Sequence, residues 1–154
     1  MPTHILWLDN DLPYIRPYVK ALRDKGYEVN DVATLTEAEE FLKEHKFDLA
    51  ILDVMIPTQN KEEIENYPND KTDFGHKTGV VFYNRMKNML KDKMPLVAVM
   101  TVRLDQDIRD EFVESGLDPR NFSTKYNVRD VSDFLQMVKS VLANSGPARL
   151  SSHE

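Results

Sequence analysis

Two apolar runs in this chain close on carboxylates. Phe47-Asp48-Leu49-Ala50-Ile51-Leu52 leads into Asp53, followed by Val54-Met55-Ile56-Pro57, and Ile5-Leu6-Trp7-Leu8 leads into Asp9-Asn10-Asp11. An apolar strand that ends on a carboxylate, at a turn punctuated by proline, places a negative charge at the rim of a sheet. Two such ends side by side make a small, acidic, oxygen-rich pocket. That arrangement suits a hard divalent cation and a nucleophilic carboxylate. Two more runs end on polar residues of other kinds, Leu96–Met100 on Thr101 and Asn121–Thr124 on Lys125.

The elements that must bring these ends together alternate along the chain. Strands are expected at Ile5–Leu8, Glu28–Ala33, Phe47–Leu52, Leu96–Met100 and Asn121–Thr124. Between and after them, helical periodicity runs over Leu12–Lys25 (closed by Gly26), a segment ending near His45, Thr78–Lys91, Leu104–Ser115 (stopped by Gly116) and Val131–Leu142. Thr36-Glu37-Ala38-Glu39 has the spacing of a capping box and is expected to open the second helix. Pro17 implies that the first regular helix begins near it or is distorted there. The second strand is the most polar, as an edge strand would be. Strict alternation predicts an α/β domain with a doubly wound, five-stranded parallel sheet and helices on both faces. In such sheets ligands bind beyond the carboxyl ends of the strands, where Asp9, Asn10, Asp53, Thr101 and Lys125 all fall.

Composition narrows the function classes. A chain of 154 residues, 41% hydrophobic and 30% charged, fits one soluble domain with its own core. No apolar run is long enough to span a bilayer, so no membrane role is expected. The absence of cysteine excludes disulfides and thiolate metal sites, and cytoplasm is the default location. A net charge of −6 with scattered basic residues disfavours direct binding of nucleic acid. Nucleotide enzymes lack their glycine-rich signatures here. Two segments break the short-loop rule. Thr58–Lys77 reads as a loop of some twenty residues, either simply looped out or serving as a lid or partner-recognition element. Asn144–Glu154, with Ser-Gly-Pro and Ser-Ser, reads as a disordered tail after a domain spanning residues 1–143.

Taken together, Leu8-Asp9-Asn10-Asp11, Ile51-Leu52-Asp53-Val54-Met55-Ile56-Pro57, Val99-Met100-Thr101 and Ser123-Thr124-Lys125 resemble a response-regulator receiver domain, the CheY-like, flavodoxin-like fold of two-component signalling. The resemblance covers roughly residues 4–143 and implies strand order 2-1-3-4-5. It implies that Asp53 is the phosphoacceptor, phosphorylated by a sensor histidine kinase or phosphotransfer protein. Mg²⁺ would be held by Asp9, Asn10, Asp53 and the Met55 backbone carbonyl. Thr101 and Lys125 would contact the phosphoryl group, Phe122 would be the aromatic switch residue, and Val102 and Arg103 would flank the pocket. Such a domain is no enzyme beyond its own phosphorylation and dephosphorylation. The chain would act as a stand-alone regulator or relay that signals to a downstream protein.

Three positions depart from the family pattern. Asn10 stands where a second acidic residue is usual, and its amide brings no charge to a cation. Tyr126 replaces the proline that commonly follows the lysine, and Val102 replaces a small alanine after the threonine. The first two support an alternative reading, a pseudo-receiver that binds proteins without phosphoryl transfer. A haloacid-dehalogenase-type phosphatase is a second alternative, because Asp9-Asn10-Asp11 is also a D-x-D after a strand. That chemistry requires a further acidic pair ending another apolar strand, whereas Asp130 and Asp133 sit in helical sequence after Lys125.

Overall fold

The computed structural model describes residues 2–102 and 105–151. Five strands form one parallel sheet: β1 (His4–Leu8), β2 (Glu28–Val32), β3 (Leu49–Leu52), β4 (Leu96–Thr101) and β5 (Phe122–Thr124). Their order is β2-β1-β3-β4-β5, so polar β2 lies at an edge as its sequence implies. Helices α1 (Leu12–Asp24), α2 (Leu35–Glu44), α5 (Thr78–Leu90), α6 (Gln106–Glu114) and α7 (Val131–Ser151) cover the two faces. Two short helices, α3 (Lys61–Asn66) and α4 (Asn69–Thr72), lie between β3 and α5.

Buried strands send alternate side chains to opposite faces, and the core divides accordingly. Ile5, Trp7, Leu49, Ile51, Ala98 and Met100 pack with Ile15, Val19 and Leu22 of α1 and with Phe134, Val138 and Val141 of α7. Leu6, Leu8, Ala50, Leu52, Val97 and Val99 pack on the other face with α2, α5 and Phe112 of α6. The register fixes the rim: Leu8 pairs with Leu52, Leu52 with Val99, and Thr101 with Thr124.

The segment 58–77 is not the open loop that its polarity suggests. Asn60 caps α3 by accepting a hydrogen bond from the Glu63 amide. Glu63 is buried, and its carboxylate accepts from the amide and hydroxyl of Thr36 and from the Gln59 amide. Tyr67 is 1% exposed and belongs to the core on the α2/α5 face. Its hydroxyl donates to Glu39, which also pairs with Arg85 of α5 at 3.0 Å. The Arg85 guanidinium lies over the Tyr67 ring, 5.8 Å from its centre. Glu63 and Glu39 therefore tie the segment 58–77 to α2 and α5.

These ties explain a second difference. The capping box of α2 is Thr34 with Glu37, two residues earlier than expected: the Glu37 amide donates to the Thr34 hydroxyl, which donates to the Glu37 carboxylate. The earlier start buries Leu35, Ala38 and Leu42 and turns Glu39 toward Tyr67. Helix α1 begins at Leu12 and runs through Pro17, with Pro13 in its first turn. Helix α7 continues to Ser151, past the boundary drawn at residue 143 and through the Ser-Gly-Pro stretch. Of the helix expected at Leu104–Ser115, Leu104 lies outside the described residues and α6 begins at Gln106.

Candidate functional site

Backbone pairing aligns the strand ends. The Asp53 amide donates to Leu8 O at 3.0 Å, which seats Asp53 beside Asp9, and the Lys125 amide donates to Thr101 O at 2.7 Å. Asp9, Asp53 and Thr101 are all buried, and the Lys125 side chain is only 8% exposed. Lys125 Nζ lies 2.8 Å from Asp9 Oδ2 and 3.8 Å from Asp53 Oδ2. The structure therefore brings two carboxylates, one hydroxyl and one ammonium to a single place. The four come from four segments of the chain.

Each carboxylate is oriented by backbone. Asp9 Oδ1 accepts from the Asp11 amide at 2.9 Å, and Asp53 Oδ1 accepts from its neighbour Val54 at 2.8 Å. Asp9 Oδ2 is fully buried, with the Lys125 ammonium 2.8 Å away. A carboxylate oxygen has two lone pairs, so this ion pair leaves one for another cation. Burial pushes the Asp53 carboxyl up to about 6, and the Asp9 charge adds to that rise. Lys125, the Val54 amide and a hydrogen bond from Thr101 act in the opposite direction. Like charges held together in a dry pocket disfavour joint ionisation, and a bound cation would relieve that.

The remaining predicted residues sit around this centre. Asn10 follows Asp9 and is exposed. Asp11 is the N-cap of α1, accepting from the Tyr14 amide at 3.2 Å, and so is turned to the helix instead of the pocket. Met55 is 37% and Val102 48% exposed at the rim. Arg103 lies outside the described residues. Phe122 is partly buried on β5 beside Val99, with its ring 6.0 Å from that of Phe112 in α6. Asp130 and Asp133 are exposed and cap the start of α7, Asp130 accepting from the Asp133 amide and Asp133 from the Arg129 amide. They end no strand, so the acidic pair that the phosphatase alternative requires is not at the pocket.

Two contributors escape the sequence patterns. Gly79, in the first turn of α5, donates its amide to Val54 O at 2.8 Å. A Cβ there would fall 2.4 Å from Asp53 O and 2.9 Å from Val54 Cα, so only glycine lets α5 press on the strand end that bears Asp53. Tyr14 is the other. The Lys125 ammonium lies 4.7 Å from the centre of its ring. Burial pushes the Tyr14 hydroxyl up to about 12, with its contact to Tyr18 adding to the rise. A glycine inside a helical pattern is a visible irregularity; the pairing of Tyr14 with Lys125 leaves no local trace.

Among the described residues no three His, Cys, Asp or Glu side chains are grouped to hold a metal. A site for a hard cation here would rest on two carboxylates and neutral oxygens. That donor set fits Mg²⁺, which is bound through one or two carboxylates and keeps several waters. Asp9 Oδ2, buried beside Lys125 and with a second lone pair, fits it too. Among the described residues no helix is long and apolar enough to cross a membrane.

Comparison with known proteins gives the fold. No family model and no curated protein matches the sequence. The structure is similar to a response-regulator receiver domain (CheY-like) from Methanospirillum hungatei, with a TM-score of 0.73, 18% identity, and coverage of 96% of this chain and 99% of that one. It is similar to the chemotaxis response regulator CheY4 of Vibrio cholerae, with a TM-score of 0.67, 18% identity, and coverage of 92% and 99%. The beryllofluoride-activated NtrC4 receiver domain gives a TM-score of 0.67 at 24% identity, covering 92% and 97%. The chain has the CheY-like receiver fold, with the strand order 2-1-3-4-5 expected from sequence.

Proposed function

We propose that this chain is a receiver of two-component signalling type that accepts a phosphoryl group on Asp53 and passes the change to a partner protein. One observation carries the reading: Asp9, Asp53, Thr101 and Lys125 converge on a single buried pocket at the carboxyl rim of the sheet. A structural scaffold has no use for two buried carboxylates beside each other, since each raises the cost of charging the other.

The donor would be a phosphohistidine on a sensor kinase or phosphotransfer protein. One Asp53 oxygen forms the new P–O bond as the P–N bond breaks, and the electron pair leaves with the imidazole nitrogen, which takes its proton from solvent. Bound Mg²⁺ supplies the positive charge that lets an anionic carboxylate approach an anionic phosphoryl group. Asp9 and Asp53 would hold it, with the Met55 carbonyl and the Asn10 amide as neutral donors. Lys125 sits where it would neutralise one phosphoryl oxygen, and the Thr101 hydroxyl would donate to another. Drawing Thr101 toward the phosphoryl group would leave room behind it for Phe122, which lies between β4 and α6. The face formed by α6, β5 and α7 would then read out the change.

Asn10 favours a second reading, a pseudo-receiver that binds partners without phosphorylation. Beryllofluoride with Mg²⁺ separates the two. A bound fluorine resonance by ¹⁹F NMR, absent in Asp53→Asn, supports the phosphoacceptor reading. No bound resonance at saturating Mg²⁺ would leave the binding module, and steady turnover of a phosphomonoester would restore the phosphatase.

A further inference from the structure

Lys125 is held from three sides. Asp9 and Asp53 approach its ammonium at 2.8 and 3.8 Å, and the Tyr14 ring lies on a third side with its centre 4.7 Å away. An ammonium on a side chain only 8% exposed has lost most of its water. Its closest oxygen is the fully buried Asp9 Oδ2. Under these conditions the negative face of an aromatic ring is an effective partner for a cation, more so than at an exposed site.

The ring itself is fixed. Asp11 donates its amide to Asp9 Oδ1, and its carboxylate accepts from the Tyr14 amide, so one hydrogen-bonded chain links the pocket carboxylate to the Tyr14 backbone. Behind Tyr14 stands Tyr18, with ring centres 5.6 Å apart. Tyr18 meets Phe134 of α7 edge-on at 5.2 Å, and Phe134 stacks on Trp7 of β1 at 5.0 Å. Lys125 Nζ lies over the Tyr14 ring, so it is the ring face that meets the ammonium.

We infer that Tyr14 is a positioning residue for Lys125, its ring face holding the ammonium over the carboxylate pair, where it can reach a phosphoryl oxygen on Asp53. The placement of the lysine stands on geometry alone; its consequence for phosphorylation rests on the receiver reading. A cation held by a ring face distinguishes aromatic from aliphatic replacements of similar bulk. Tyr14→Phe keeps the face and loses only the hydroxyl. Tyr14→Leu keeps an apolar side chain and loses the face.

Two measurements on the full chain test this. In protein with ¹³C-labelled lysine, the Lys125 ε-methylene protons are expected at ring-shifted, upfield positions in wild type and Tyr14→Phe. In Tyr14→Leu they should move to the range of the exposed lysines. With acetyl phosphate and Mg²⁺, Asp53 of Tyr14→Phe is expected to be phosphorylated within about twofold of the wild-type rate, and that of Tyr14→Leu about tenfold more slowly. If Tyr14→Leu does not fold, Tyr14→Met takes its place. Unshifted lysine protons in wild type, or equal rates in the Phe and Leu variants, would overturn the inference. Ring-shifted protons in a wild-type protein that takes up no phosphoryl group would overturn the receiver reading and leave the lysine's placement by Tyr14 standing.

Discussion

In the proposed function Asp53 carries the chemistry, and its ionisation is opposed by burial and by Asp9. This has a measurable consequence for the metal-free protein. The folded carboxyl titrates near 6, above its ordinary value of 3.8. Between those values the folded state holds the proton more tightly than the unfolded chain, so stability from this group is complete below about pH 4 and is lost as pH rises through 6. Asp53→Asn should therefore be more stable than wild type at pH 8, by roughly 3 kcal/mol, with the gap closing toward pH 4. Urea unfolding at several pH values checks this, and a gap that widens in acid contradicts it. Saturating Mg²⁺ should narrow the gap at pH 8 by stabilising wild type alone. At the next position, Asn10→Asp adds a charge at the pocket mouth and should tighten Mg²⁺ binding by about tenfold. Equal affinities by titration calorimetry would show that residue 10 does not face the ion. Val102 follows Thr101 and is half exposed, and we propose that it hinders water. In Val102→Ala, hydrolysis of the phosphorylated form should quicken severalfold, and an unchanged decay rate would remove that role.

At the scale of elements, the start of α5 holds the strand end that bears Asp53, through the Gly79 amide on Val54 O, while the segment 58–77 braces α2 and α5. Gly79→Ala would drive a methyl group into Asp53 O and Val54 Cα. The expected cost is roughly 2 kcal/mol of stability together with weakened Mg²⁺ binding, because relief of the clash must move Asp53, the proposed phosphoacceptor. Loss of stability with unaltered binding would mean that α5 yields instead. The strand ends were legible in sequence because apolar β-runs that terminate on Asp, Thr or Lys are uncommon without a use. The segment 58–77 was not. Tyr67 and Glu39 are 28 residues apart, Arg85 and Glu39 are 46 apart, and helices of six and four residues are too short to display a period. The shift of the α2 cap had the same origin. Thr34 and Thr36 both offer a threonine followed three residues later by a glutamate or its equivalent in reach, and burial of Leu35, Ala38 and Leu42 decided between them. Tyr14 over Lys125 likewise joins the first helix to the fifth strand, a contact that only the closed sheet creates.

For the whole molecule, the sheet is a device for bringing four strand ends into register, and its two core layers keep them there. Each layer is sealed by helices on one side, so a change at the rim can be felt on either. Thr101 and Phe122 lead toward α6, and Lys125, Tyr14 and Tyr18 lead toward α7. The claim beneath all of this is that the pocket exists to phosphorylate one side chain. Its most direct test is to incubate the chain with acetyl phosphate and Mg²⁺, trap the acyl phosphate by borohydride reduction, and map the modified residue by mass spectrometry. One phosphoryl group per chain, located at Asp53 and abolished in Asp53→Asn, is the expected result. No adduct, or an adduct at another residue that persists in Asp53→Asn, would contradict the account.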